Sequence, residues 1–143
     1  MKHYKIGYTQ GVYDMFHIGH LNLLNNVKQY CDYLIVGVNS DDLVKTYKNK
    51  KPVICEESRR SIIESIKVVD EAIITETLDK YEMLERLNFD AIFIGDDWKG
   101  SKRWNETEKV LSKYGVDVVY IPYTKDISST LLRPRHDDAV VGE

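Results

Sequence analysis

The segment Y-T-Q-G-V-Y-D-M-F-H-I-G-H, Tyr8 to His20, sets two histidines three residues apart where a predicted strand passes into a predicted helix. Such junctions are where α/β proteins hold anions. A helix start presents unpaired N–H groups and the positive end of the helix dipole, and Gly19 lets a bulky anion come close to the backbone. Side chains at i and i+3 share a helix face, so His17 and His20 are placed to meet oxygens of one phosphoryl group. Zinc is the other ligand that two such histidines suggest. No third ligand stands at helical spacing, however, and the H-E-x-x-H pattern is missing. A plainer reading makes His17 a helix cap and His20 a core residue; the fixed relation of Gly11, Asp14 and Gly19 to both histidines favours a functional one.

Outward from this junction, apolar and β-branched runs at Tyr4 to Thr9, Tyr33 to Asn39, Glu71 to Thr75, Ala91 to Gly95 and Val116 to Pro122 read as short strands. Helical spacing connects Ile18, Leu21, Leu24 and Val27, and again Ile62, Ile63 and Ile66. Leu78 to Leu87 and Trp104 to Tyr114 supply two more helices, the second stopped by Gly115. Lys45 to Lys51 reads as a loop. The expectation is an α/β fold, a Rossmann-like three-layer parallel five-stranded sheet with helices on both faces. Ligands of such a sheet gather outside the carboxyl ends of the strands. Gln10 to His17, Ser40 to Lys51, Asp96 to Lys102 and Tyr123 to Ser129 each follow a strand. The G-x-G-x-x-G fingerprint is absent, which sets a dinucleotide-binding fold aside.

A length of 143 residues suits one domain with a real core, here residues 1–133, followed by a polar tail from Pro134 to Glu143 expected to be poorly ordered. A net charge of -3 lacks the domain-wide basic excess of a nucleic-acid-binding protein. Positive charge is local instead: Lys45, Lys48, Lys50 and Lys51 fall within seven residues, which suits one polyphosphate, although such a run is also what a solvated surface looks like. Cys31 and Cys55 are too few for a disulfide framework. With no charged-then-apolar leader and no apolar run near the ~18 residues of a membrane span, a soluble cytoplasmic protein without membrane partners is expected.

The Tyr8 to His20 segment resembles the H-x-G-H signature of the nucleotidyltransferase superfamily, within it the cytidylyltransferases, and most closely the glycerol-3-phosphate cytidylyltransferases. Three further segments carry the resemblance: Lys50 to Glu71, I-F-I-G-D-D-W-K-G from Ile92 to Gly100, and I-S-S-T from Ile127 to Thr130. The first motif is shared with adenylyltransferases; G-D-D-W and V-D-E narrow the likeness toward cytidine. The resemblance implies CMP transfer from CTP to a small phosphomonoester, glycerol 3-phosphate above all. CDP-glycerol and pyrophosphate would form by in-line displacement, with Mg2+ accompanying CTP, in a homodimer serving teichoic acid or capsule synthesis.

On that resemblance the catalytic residues are His17, His20, Lys50 and Arg59. The histidines stabilise the pentacovalent α-phosphate. Lys50 and Lys48 hold phosphates with Lys51 beside them, and Arg59 clamps a phosphate with two parallel bonds. Substrate-binding positions are Thr9, Gln10, Gly11, Tyr13, Asp14 and Gly19 in the first motif, then Lys67, which stands where the family commonly has arginine. Gly95, Asp96, Asp97 and Trp98 receive nucleotide and acceptor, and Ile127, Ser128, Ser129 and Thr130 cradle the β- and γ-phosphates. Asp14 is read either as an active-site residue or as a turn residue, and Trp98 either as a ligand platform or as a lid on the core. Metal ligands stay unassigned. The family's R-T-x-x-G-I-S is replaced by Tyr123 and a run one residue shorter. Competing readings are transfer to phosphoethanolamine, phosphocholine or another polyol or sugar phosphate, an adenylyltransferase for a sugar phosphate, and a nucleotide sensor without turnover.

Overall fold

The computed structural model describes residues 2–122; the segment Ile127 to Thr130, the departure at Tyr123 and the 134–143 tail lie outside the described residues. Five strands, β1 (Tyr4–Gly11), β2 (Cys31–Asn39), β3 (Glu71–Thr75), β4 (Ala91–Gly95) and β5 (Asp117–Ile121), form one sheet in the order β3-β2-β1-β4-β5. Every pair is parallel. The expected parallel five-stranded α/β fold is therefore the one observed.

Alternation along the strands divides the core in two. Leu34, Val36, Val38 and Phe93 meet Leu23, Leu24 and Val27 of α1 (Ile18–Lys28) and Ile63 of α3 (Glu56–Glu64). Tyr8, Ile35, Ile92 and Ile94 point the other way, against Met83 and Leu84 of α4 (Lys80–Leu87) and Trp104 and Leu111 of α5 (Lys102–Ser112). A strand buried on both faces reads as a continuous apolar run, as these do. Gly115, at φ +75°, ends α5 as expected: its N–H reaches Ser112 C=O at 3.1 Å, and Val116 N–H reaches Leu111 C=O at 3.2 Å.

Two expectations are corrected. The expected loop from Lys45 to Lys51 is helical up to Lys48, as the end of α2 (Asp41–Lys48), which is capped by the Ser40 hydroxyl and ended by Asn49 at φ 59°. The helix buries Leu43 and Val44, and Ser40-Asp41-Asp42 at one end and Asn49 at the other are the signals that mark it. In α1 the buried stripe runs through His20, Leu23, Leu24 and Val27, while Ile18 is 44% exposed. His20 thus lies on the core face. No helix among the described residues is long and apolar enough to cross a membrane.

Gly37 lets the Tyr8 phenol lie flat across β2, where an added Cβ would stand 2.3 Å from Oη. Gly37→Ala is expected to lower stability by about 1–3 kcal/mol through overpacking, read as a lower urea midpoint at unchanged m.

Candidate active site

The β1–β4 ladder ends at Thr9–Phe93, whereas β1 continues along β2 to Gly11–Val38 and β4 along β5 to Gly95–Ile121. Beyond Thr9 the two central strands have no ladder between them, at the point where the strand order reverses. That is the crevice in which open α/β sheets take ligands. The Thr9 hydroxyl, fully buried, marks its floor by donating to Phe93 C=O at 2.9 Å.

His17 is the N-cap of α1, with extended backbone, and its Nδ1 accepts the Gly19 N–H at 3.0 Å. His20 returns the contact: its Nδ1 accepts the His17 N–H at 3.1 Å. This is a capping box built from two imidazoles. A ring nitrogen that accepts a hydrogen bond carries no proton, so both rings are neutral with the hydrogen on Nε2. The two ring centroids are 4.0 Å apart and the rings are tilted by 39°. Phe16 stacks on His20 at 5.3 Å and Tyr13 meets its edge at 5.6 Å. Burial, followed by the neighbouring His17, lowers the His20 pKa to about 3. The cap at His17 and the core residue at His20, the plainer of the two readings, are thus both present in the structure.

The loop before His17 is held in an unfavourable shape. Tyr13 (φ 55°) and Met15 (φ 50°) both adopt the left-handed conformation, each at a cost of about 1–3 kcal/mol for a residue other than glycine. Between them Asp14 points back to the chain, and its two oxygens accept Val53 N–H (2.7 Å) and Ile54 N–H (2.9 Å). Asp14 thus has a positional role, tying the 53–54 segment to this loop. The same contacts bring the lysines to the histidine loop. Lys48, in the last turn of α2, with Lys50 and Lys51, lines a cavity of about 70 Å³ shared with Val12, Asp14 and Val53.

Arg59 requires correction. Its side chain is wholly buried, and four of its five N–H donors reach protein oxygens. Nε donates to Ile54 C=O, Nη1 to Val12 C=O and Asn39 C=O, each at 2.8 Å, and Nη2 to Asp41 Oδ1 at 2.6 Å. A guanidinium so engaged is no bidentate phosphate clamp. Gln10 is likewise committed: its amide donates to Asn39 Oδ1 and Thr77 C=O, both at 2.9 Å, and accepts from Tyr8 Oη at 2.6 Å. Lys67 is misplaced, because it precedes β3, whose first residue Glu71 pairs with Ile35, while the crevice lies beyond the other end, where Thr75 pairs with Asn39.

Across the crevice, Gly95 is buried and Asp96–Trp98 make one 3-10 turn. Asp96 and Asp97 are exposed residues, yet partial desolvation of the Asp97 carboxyl, with the charge of Asp96 adding to it, raises its pKa. Trp98 packs on the second core under the Arg103 guanidinium, 5.6 Å from the ring centroid, so of its two expected roles the structure shows the lid. Gly11 and Gly19 are buried in the strand end and the helix start. Lys80 was not anticipated. It is 4% exposed, lies 5.2 Å from the Trp104 ring centroid and donates to Leu78 C=O at 2.9 Å. A lone lysine at a helix start carries no sequence signal of burial.

Among the described residues no group of three or more His, Cys, Asp or Glu side chains is placed to hold a metal ion.

A parallel sheet opened at its switch point, with paired imidazole donors at the first helix start, defines a Rossmann-like nucleotidyltransferase. The cytidylyltransferase-like family model matches residues 8–135, and the chain belongs to this family. It is 36% identical over 126 residues to a glycerol-3-phosphate cytidylyltransferase of Bacillus spizizenii, covering 87% of this chain and 92% of that protein. It is 35% identical over 117 residues to an FAD synthase of Thermococcus onnurineus, covering 79% and 76%. The crystal structure of a lipopolysaccharide core biosynthesis protein from Thermoplasma volcanium superposes with a TM-score of 0.71 at 28% identity, covering 85% of this chain and 98% of that one.

A histidine kept neutral by folding makes stability depend on pH. The unfolded chain takes a proton at His20 near pH 6.5 and the folded chain only near 3, so this contribution is full above pH 6.5 and declines as pH falls toward 3. Relative to wild type, His20→Asn should remove a slope of up to about 1.4 kcal/mol per pH unit in that window. Urea titrations at pH 7, 6, 5 and 4 measure it; equal slopes in both proteins would refute it.

Proposed function

We propose that the protein transfers CMP from CTP to glycerol 3-phosphate, releasing CDP-glycerol and pyrophosphate. The observation that carries the reading is the pair of neutral imidazoles, 4.0 Å apart, each oriented by a backbone N–H on Nδ1. Negative charge grows on the α-phosphoryl oxygens as the acceptor phosphate attacks in line and pyrophosphate leaves. Fixed Nε2–H donors meet that charge without prior reorganisation. Neither ring has to give up its proton, because the acceptor phosphate is a competent nucleophile as it stands. The reading assigns Lys48 and Lys50, on the cavity beside Asp14, to the leaving phosphates. Asp96 and Asp97, at the carboxyl end of β4, suit hydroxyls of a polyol phosphate as hydrogen-bond acceptors.

Glycerol 3-phosphate is preferred because the Bacillus relative of that name aligns over nearly its whole length. The FAD synthase relative at similar identity favours a second reading, the same transfer chemistry with another nucleotide or acceptor. CTP enters in this proposal as its magnesium complex, with the metal held by the triphosphate. The homodimer and the cytoplasmic setting implied by the family belong to the same proposal.

Pyrophosphate release with magnesium and CTP, over glycerol 3-phosphate, phosphocholine, phosphoethanolamine and sugar phosphates with ATP as control, tests the substrate. Turnover confined to CTP and glycerol 3-phosphate is expected; preference for another acceptor or for ATP would replace it. His17→Asn separates cap from chemistry, since asparagine is itself a good N-cap but does not reach the position of Nε2. The variant should fold with near-native stability, bind CTP within a few-fold, and lose about 10²-fold or more in kcat. Undiminished kcat would remove His17 from the mechanism.

A further inference from the structure

Asp14 and Arg59 grip the two sides of one residue. Ile54 gives its N–H to Asp14 Oδ1 (2.9 Å), and its C=O receives Arg59 Nε–H (2.8 Å). Asp14 holds the preceding amide as well, through Val53 N–H at 2.7 Å. Each gripping side chain is anchored on the histidine side of the crevice. Asp14 sits between two left-handed residues of the β1–α1 loop, and Arg59 Nη1 binds Val12 C=O at the start of that loop. Arg59 also reaches the start of α2, through Asn39 C=O and the Asp41 carboxylate. Asp41 closes the ring, since its N–H donates to Glu56 Oε1 at 2.7 Å, in the first turn of α3.

From this geometry we infer that Asp14 and Arg59 form a latch that fixes the lysine segment 48–54 to the histidine loop, with Arg59 a positioning residue and not a phosphate ligand. The assignment rests on the transfer chemistry proposed above for its effect on rate, but the latch itself exists without substrate. Its functional content is alignment. Lysines at a polyphosphate adapt readily, so ground-state binding tolerates a loosened segment. Transition-state stabilisation requires lysine and imidazole donors at fixed separation, and small displacements are costly there. Loss of the latch therefore lowers kcat more than it weakens CTP binding. Because both residues act on Ile54, breaking either should release it, and breaking the second should add little.

Asp14→Asn, Arg59→Lys and the double variant test this on the full chain. Asparagine is isosteric but turns an NH2 toward one of the two amides; lysine keeps the charge but cannot reach four acceptors at once. Hydrogen exchange of the Val53 and Ile54 amides, measured without any ligand, should rise tenfold or more in each single variant. In pyrophosphate release, kcat should fall tenfold or more while the CTP dissociation constant, measured by calorimetry, changes less than threefold. The double variant should match the weaker single variant within about threefold. Unchanged exchange at both amides overturns the latch. So does weakened CTP binding at unchanged kcat in Arg59→Lys, the signature of a direct phosphate contact, and so do losses that simply multiply. Absence of turnover in the wild type with every acceptor would count against the substrate reading alone, because the exchange measurement needs no substrate.

Discussion

A parallel sheet leaves backbone carbonyls without ladder partners where its strands end, and buried carbonyls need donors. Here that requirement is met by one guanidinium. Arg59, with no exposed side-chain surface, takes the carbonyl of Val12 just beyond β1, that of Asn39 at the end of β2 and that of Ile54 before α3. A buried cation is tolerable only with strong acceptors around it, and Asp41 supplies the charged one at 2.6 Å. The carboxyl edge of the sheet is thereby organised around a single side chain, and the loops that carry histidines and lysines leave from its acceptors.

The histidine pair shows the same economy of donors and acceptors. The N-terminal N–H groups of α1 need partners, and two Nδ1 atoms supply them. Satisfying the helix start determines the tautomer, and the tautomer determines that each ring offers a proton on Nε2. Burial beneath Phe16 and Tyr13 then keeps His20 neutral far below the usual histidine range. Structure and chemistry are here two ends of the same imidazole. The plain expectation of a cap at His17 and a core residue at His20 is the arrangement observed, and the phosphoryl-donor role belongs to the proposed function.

Strands were legible because their apolar runs are dense: Glu71–Thr75 and Ala91–Gly95 agree residue for residue with expectation. Helix α2 is marked by its capping residues, Ser40 at one end and Asn49 at the other, while the lysines of its last turn were read for their charge. Arg59 and Gln10 were assigned to substrate by resemblance to the family's motifs, while the partners that occupy their hydrogen-bonding capacity, Val12, Asn39, Ile54 and Thr77, come from other strands and loops. Lys67 was assigned because it stands where the family's motif commonly has arginine. That match does not say at which end of β3 a residue emerges.

By itself the sequence determined the order of strands and helices, the parallel sheet and the junction at His17 and His20, because local pattern and spacing encode these directly. The tertiary structure alone decided which polar groups remain for a ligand. A side chain of given type can serve substrate or backbone, and the choice depends on which carbonyls and amides the fold brings within about 3 Å of it. For Arg59, Gln10 and Asp14 the fold supplied protein partners. For the two histidines it engaged Nδ1 of each ring in holding the start of α1.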